Sequence, residues 1–197
     1  MPLMRRLPRF GLTLVVGAFF SQHLNAADLV AGQEKAQLCT ACHGDNGQSQ
    51  IPNIPSLAGQ LDAFIQWQLV YFRSGTRKNE QMQPIVEQLG NEDIRNLAAW
   101  FASLPSAPHK PDDDPDLSAK GAQAAAGRRC GLCHGDDYAG IKGVARLAGQ
   151  REEYLAKALH DFKSGARSGG GRAAMADAAY PLSEEEIEAL AHYLAHL

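Results

Sequence analysis

Apolar residues recur along this chain at helical spacing, and no run alternates convincingly in the manner of a strand. Leu61, Phe64, Ile65, Leu69 and Phe72 fall on one face at i, i+3, i+4 intervals, and Ile94, Leu97, Ala98 and Phe101 mark a second stripe. Both stripes return later in the chain, as Leu155, Leu159 and Phe162 and as Ile187, Leu190, Ala191 and Leu194. Helix boundaries are legible as well. Asp28 can cap a helix running into Cys39, Leu117-Ser118 opens its counterpart, and Ser183-x-x-Glu186 is a capping box ahead of the last stripe. The fold class is all-α.

The recurrence extends beyond hydrophobicity. Cys39-Thr-Ala-Cys42-His43-Gly44-Asp45 reappears as Cys130-Gly-Leu-Cys133-His134-Gly135-Asp136, displaced by 91 residues. Leu57-Ala-Gly-Gln60 matches Leu147-Ala-Gly-Gln150 at a displacement of 90, and Phe72-Arg-Ser-Gly-Thr-Arg77 matches Phe162-Lys-Ser-Gly-Ala-Arg167 at the same displacement. Leu97-Ala-Ala-Trp100 matches Leu190-Ala-His-Tyr193 at 93. Four blocks in one order at nearly constant offset define a duplicated unit. Between the copies, the stretch 105–116 contains Pro105, Pro108, Pro111, Pro115 and four aspartates, a composition that favours a stiff, solvated connection. The expected organisation is a leader over 1–26, a first domain over 27–104, a linker over 105–116 and a second domain over 117–197.

The leader is read from Arg5, Arg6 and Arg9, the apolar run from Phe10 to Phe20, and the small residues of Leu24-Asn25-Ala26-Ala27, together a cleaved secretory signal. An uncleaved anchor would need about 18 uninterrupted apolar residues, and Ser21, Gln22 and His23 end the run too early. Without the leader the chain carries 16 Lys+Arg against 22 Asp+Glu, a net charge of −6. That balance offers no electrostatic footprint for nucleic acid or anionic lipid and suits a partner with a basic docking patch.

An exported chain with four cysteines could hold two disulfides, but that reading leaves the histidine after each pair unexplained. A zinc ribbon wants its pairs about 15–20 residues apart, whereas 87 residues separate Cys42 from Cys130. A thioredoxin-like pair needs a βαβ setting, which the helical pattern lacks. Cys-x-x-Cys-His is the attachment signature of c-type haem. Cys39 and Cys42, and Cys130 and Cys133, are therefore expected to form thioethers to two haem c groups, with His43 and His134 as axial iron ligands. A helical domain of about 80 residues has a small core, and a buried haem supplies the missing apolar volume.

Methionine placement identifies the other axial position. Beyond the leader only Met82 and Met175 remain, 39 residues after His43 and 41 after His134, each seven residues ahead of a matching leucine, Leu89 or Leu182. Core filling alone predicts no such pairing. Histidine–methionine ligation raises the reduction potential and closes the iron to substrate, which argues for an electron carrier, not an enzyme. His160, His192 and His196 lie on helices without repeat partners, and His109 in the linker; all four are expected at the surface. Pro55, twelve residues after His43, is either an ordinary loop proline or the carbonyl that fixes the histidine tautomer.

These motifs, with Asn53-Ile-Pro55-Ser-Leu57-Ala-Gly-Gln60 and both closing helices, make the chain resemble the cytochrome c-four family of dihaem cytochromes c. The resemblance implies two tandem class I cytochrome c domains, each a small helical domain wrapped around one covalent haem c, packed about a pseudo-twofold axis. It also implies that Gly32 and Gly121 lie where the first helix of each domain crosses the last, beside Trp100 and Tyr193. Ala145 stands in the second domain where Pro55 stands in the first, so the carbonyl contact to His134 is expected to be less rigidly set. By resemblance the protein is periplasmic or peripherally membrane-associated. It would carry electrons from a respiratory donor to a terminal oxidase or another reductase. The alternative is the dihaem subunit of a dehydrogenase complex, of the flavocytochrome sulfide dehydrogenase type. A dihaem enzyme such as a peroxidase would need an open iron position, which the paired methionines disfavour.

Overall fold

The computed structural model describes residues 26–108, 110–168 and 173–197; the expected leader, apart from Ala26, and His109 lie outside them. Among the described residues there are helices and connecting loops but no strand. The first half contains α1 (Leu29–Ala36), α2 (Thr40–His43), α3 (Asp62–Arg73), α4 (Gln83–Val86) and α5 (Asn91–Ser103). The second repeats the order as α6 (Pro115–Gly127), α7 (Gly131–His134), α8 (Glu152–Lys163), α9 (Ala173–Ala179) and α10 (Glu184–Ala195).

Helix ends follow local chemistry. The Asp28 carboxylate accepts from the amides of Val30 and Ala31, satisfying donors that have no partner inside the helix. Ser183 and Glu186 form the expected reciprocal box at the start of α10. The second half begins earlier than Leu117-Ser118, however. Asp114 caps α6 by accepting from the Leu117 amide, and Pro115 occupies the first turn. A proline there loses no helical hydrogen bond and has its φ preset, so the last two residues of the expected linker belong to a helix.

In each half the first helix crosses the last, α1 on α5 and α6 on α10, while α3 and α8 complete the two cores by packing on α5 and α10. The crossings depend on glycine. A Cβ on Gly32 would stand 2.3 Å from the Asn96 carbonyl oxygen and 2.9 Å from Trp100 Cβ. On Gly121 it would stand 2.1 Å from the Ala189 carbonyl oxygen and 2.5 Å from Tyr193 Cβ. Ile65, Phe72, Leu97 and Phe101 fill the first core, and Leu155, Phe162, Leu190 and Leu194 the second.

The halves dock through a reciprocal exchange. Gln60 Nε2 donates to the Arg146 carbonyl at 3.1 Å, and the Arg146 amide donates to Gln60 Oε1 at 2.7 Å. Gln150 Nε2 donates to the Ser56 carbonyl at 2.9 Å, and the Ser56 amide donates to Gln150 Oε1 at 2.8 Å. Gln60 matches Gln150 and Ser56 matches Arg146 at the repeat offset of 90, so the contact is isologous, as a pseudo-twofold axis requires.

Candidate haem sites

Each Cys-x-x-Cys-His segment forms one helical turn. The His43 amide donates to the Cys39 carbonyl at 2.8 Å, and the His134 amide to the Cys130 carbonyl at 3.1 Å. The turn sets the two thiols of each pair side by side and ends on the histidine. It terminates at Gly44 and Gly135, with φ of 81° and 85°, a backbone region that favours glycine. No disulfide joins the four cysteines; Cys39 and Cys130 are half-buried, and Cys42 and Cys133 are exposed. Burial, aided by the neighbouring Cys42, pushes the Cys39 thiol up to about 11.

His43 and His134 are buried, at 7% and 6% exposure. The Nδ1 of His43 meets the Pro55 carbonyl at 2.8 Å, and the Nδ1 of His134 meets the Ala145 carbonyl at the same 2.8 Å. A carbonyl only accepts, so each Nδ1 holds the proton and each Nε2 keeps its lone pair for a metal. Burial lowers both histidine pKa values, partly offset by these carbonyl bonds, and keeps the imidazoles neutral. The contact expected to be less rigidly set at Ala145 is made at the same distance as the one at Pro55. The carbonyl needs only the loop's path, and a loop one residue shorter delivers it at the same distance without proline.

Met82 and Cys39 both pack against the first core, and Met175 and Cys130 against the second. In each half the first thiol of the pair and one thioether thus pack on a single apolar cluster, and the same turn carries the second thiol and the histidine, a donor set that fits a covalent haem. The surface expectation fails for His192, which is buried at 4% exposure between the carboxylates of Glu152 and Asp112. His160 is exposed as expected.

Sequence reasoning quoted Gln60, Gln150, Arg77 and Arg167 as repeat markers without assigning them roles. Arg77 lies 4.4 Å over the Phe72 ring and Arg167 4.5 Å over the Phe162 ring. Both donate to Gln68 Oε1, at 2.7 and 3.1 Å, and Arg77 also donates to the Tyr154 hydroxyl at 3.2 Å. This polar seam joins α3 to α8 across the halves. Burial opposes ionisation of the Tyr154 phenol, but Arg77 and Arg167 together outweigh it and bring its pKa down to about 8.

The chain matches the cytochrome c family twice, over residues 29–105 and 118–197. With a Cys-x-x-Cys-His in each match, it is a c-type cytochrome with two covalently bound haem c groups, an electron-transfer protein. It is 35% identical over 179 residues to cytochrome c4 of Pseudomonas aeruginosa, covering 86% of this chain and 88% of that protein. The crystal structure of reduced recombinant cytochrome c4 from Pseudomonas stutzeri superposes with a TM-score of 0.80 at 33% identity, covering 87% of this chain and 100% of that one. A protein of Stutzerimonas stutzeri named thiosulfate dehydrogenase electron acceptor is 31% identical over 180 residues, covering 82% of this chain and 80% of that protein. The chain belongs to the cytochrome c4 family.

Proposed function

We propose that His43 and Met82 would hold the iron in the first half and His134 and Met175 in the second, with thioethers from Cys39, Cys42, Cys130 and Cys133. One observation carries the reading: the two methionines left outside the leader are repeat-equivalent, and each packs on the same core as the first cysteine of its own motif. Haem bound there supplies one-electron redox chemistry at an iron without an open position. The chain's own part is to hold each histidine neutral and oriented through Pro55 or Ala145 and to keep water from the centres. In the oxidised holoprotein, Met82→Ala and Met175→Ala should each remove about half of the sulfur-to-iron charge-transfer absorption. A variant that keeps the whole band refutes its assignment.

The domains run over 27–104 and 115–197, joined by 105–114, and the leader over 1–26 is removed on export to the periplasm. No helix among the described residues is long and apolar enough to cross a membrane. There the protein passes single electrons from a respiratory donor to a terminal oxidase or another reductase. The relative named as an electron acceptor of thiosulfate dehydrogenase favours a second reading, service to a dehydrogenase. Isolation of the native protein from periplasm and membranes discriminates the two. A dehydrogenase subunit that co-purifies supports the second reading. Rapid oxidation of the reduced protein by a membrane oxidase, with no such subunit, supports the first.

A further inference from the structure

The last helix of the second half ends in two histidines one turn apart, and the linker brings two aspartates over them. His192 Nε2 lies 3.1 Å from Asp112 Oδ1 and 3.9 Å from Asp113 Oδ1. Its Nδ1 faces Glu152 Oε2 of α8 at 3.3 Å. His196 Nδ1 meets the His192 carbonyl at 2.8 Å, so Nδ1 carries the proton. The free Nε2 of His196 lies 3.9 Å from Asp113 Oδ1. The two rings are 4.2 Å apart, and one donor atom from each of Asp112, His192 and His196 lies within 4.8 Å of the others.

We propose that Asp112, His192 and His196 form a site for a divalent transition-metal cation of the zinc class, with Asp113 as fourth ligand. Histidines at i and i+4 present both rings from one helix face. Each ring's Nδ1 is engaged by an acceptor, the Glu152 carboxylate or a backbone carbonyl, which is how metal-binding imidazoles are oriented. Tetrahedral bonds of about 2.0–2.2 Å set ligand atoms roughly 3.3 Å apart. The 3.1 Å pair already meets that, the 3.9 Å pairs need a small rotation of Asp113, whose side chain is 85% exposed, and the donor atom of His196, within 4.8 Å of those of Asp112 and His192, must close on the ion. Three carboxylates around two imidazoles favour a dication, and the nitrogen donors select zinc-like metals over magnesium or calcium. The first half has Ala99 and Ser103 at the equivalent positions, so the site is separate from the duplicated haem machinery. An ion there fastens the linker to α10.

The test uses the full untagged holoprotein, stripped with chelator and titrated with zinc sulfate by calorimetry, with bound metal counted by mass spectrometry. One zinc per chain is expected, with a higher melting temperature and unchanged haem spectra, and no response to magnesium. Asp112→Asn and His196→Gln should each weaken binding about tenfold or more, while His160→Gln, at an exposed histidine on α8, binds zinc as the native chain does. Binding only at millimolar zinc, or binding undiminished in both site variants, overturns the proposal and leaves His192 as an ion-paired latch.

Discussion

Gln150→Leu removes the side chain by which the second half holds the loop that orients the first half's histidine. In the native chain the Gln150 amide bonds both backbone groups of Ser56, at 2.8 and 2.9 Å, and Ser56 directly follows the Pro55 carbonyl that meets His43. Both residues are 8% exposed, so a leucine of similar volume leaves a buried N–H and a buried C=O without partners. Each costs about 1–3 kcal/mol, or roughly 2–6 kcal/mol together, a large part of the ~5–15 kcal/mol that stabilises a typical domain. The loss falls on docking and on the 55–56 loop, not on either core. Denaturant unfolding of the holoprotein should show the first half released at lower denaturant. Spectroelectrochemistry should show the first centre's potential displaced and the second's unchanged. Gln60→Leu should do the reverse, through Arg146 and the adjacent Ala145 carbonyl. Equal displacement of both potentials in either variant, or stability within about 0.5 kcal/mol of native, would refute the reasoning.

Gly32→Ala and Gly121→Ala each force a methyl to 2.3 or 2.1 Å from a backbone oxygen; each should lower stability by about 3 kcal/mol or more, read as a fall in melting temperature confined to the affected half. Tyr154 has a folded pKa of about 8, below its ordinary value of 10, so ionisation is easier in the folded state. Its contribution should be fully present above pH 10 and lost as pH falls through 8. The denaturation midpoint of native protein relative to Tyr154→Phe should therefore rise across that interval, and a flat difference would count against the arginine pairing.

Much of this architecture is written in local pattern. Helical stripes, caps and the repeated blocks locate α1, α3, α5, α8 and α10, because each signal acts over one or two turns, whereas the short α4 and α9 carry no such stripe. The start of α6 escaped because prolines in a row look like a linker, although Pro115 suits a first turn as well as it ends a helix. What stayed illegible is long-range. The glutamines stood in a repeated block, but only the docked halves reveal that each bonds the other's backbone. His192 reads as a surface residue because a lone histidine is seldom fully buried, while here Asp112 and Glu152, 80 and 40 residues away, cover it. A histidine without a repeat partner was the available signal, and it marked where the two halves diverge.

That divergence bears on how the two centres differ in potential. Their immediate surroundings are matched: both histidines meet a carbonyl at 2.8 Å, and both arginines lie over a phenylalanine at 4.4 and 4.5 Å. Neither contact can separate the potentials by much. Nor can net charge, since residues 27–107 carry 5 Lys+Arg against 8 Asp+Glu, net −3, and residues 108–197, which include the aspartates packed on α10 and opening α6, carry 11 against 14, also net −3. Surplus negative charge favours the oxidised iron, and inside a Debye length of about 8–10 Å it is only partly screened, but here it is shared equally by the two halves. The two potentials should therefore lie close together, so that an electron can pass either way between the halves. Titrations of Met82→Ala and Met175→Ala assign the two waves, because each variant displaces only its own. If the two native waves are widely separated, charge balance does not govern them, and the unmatched groups of the seam, Gln68 and Tyr154, become the source of the gap.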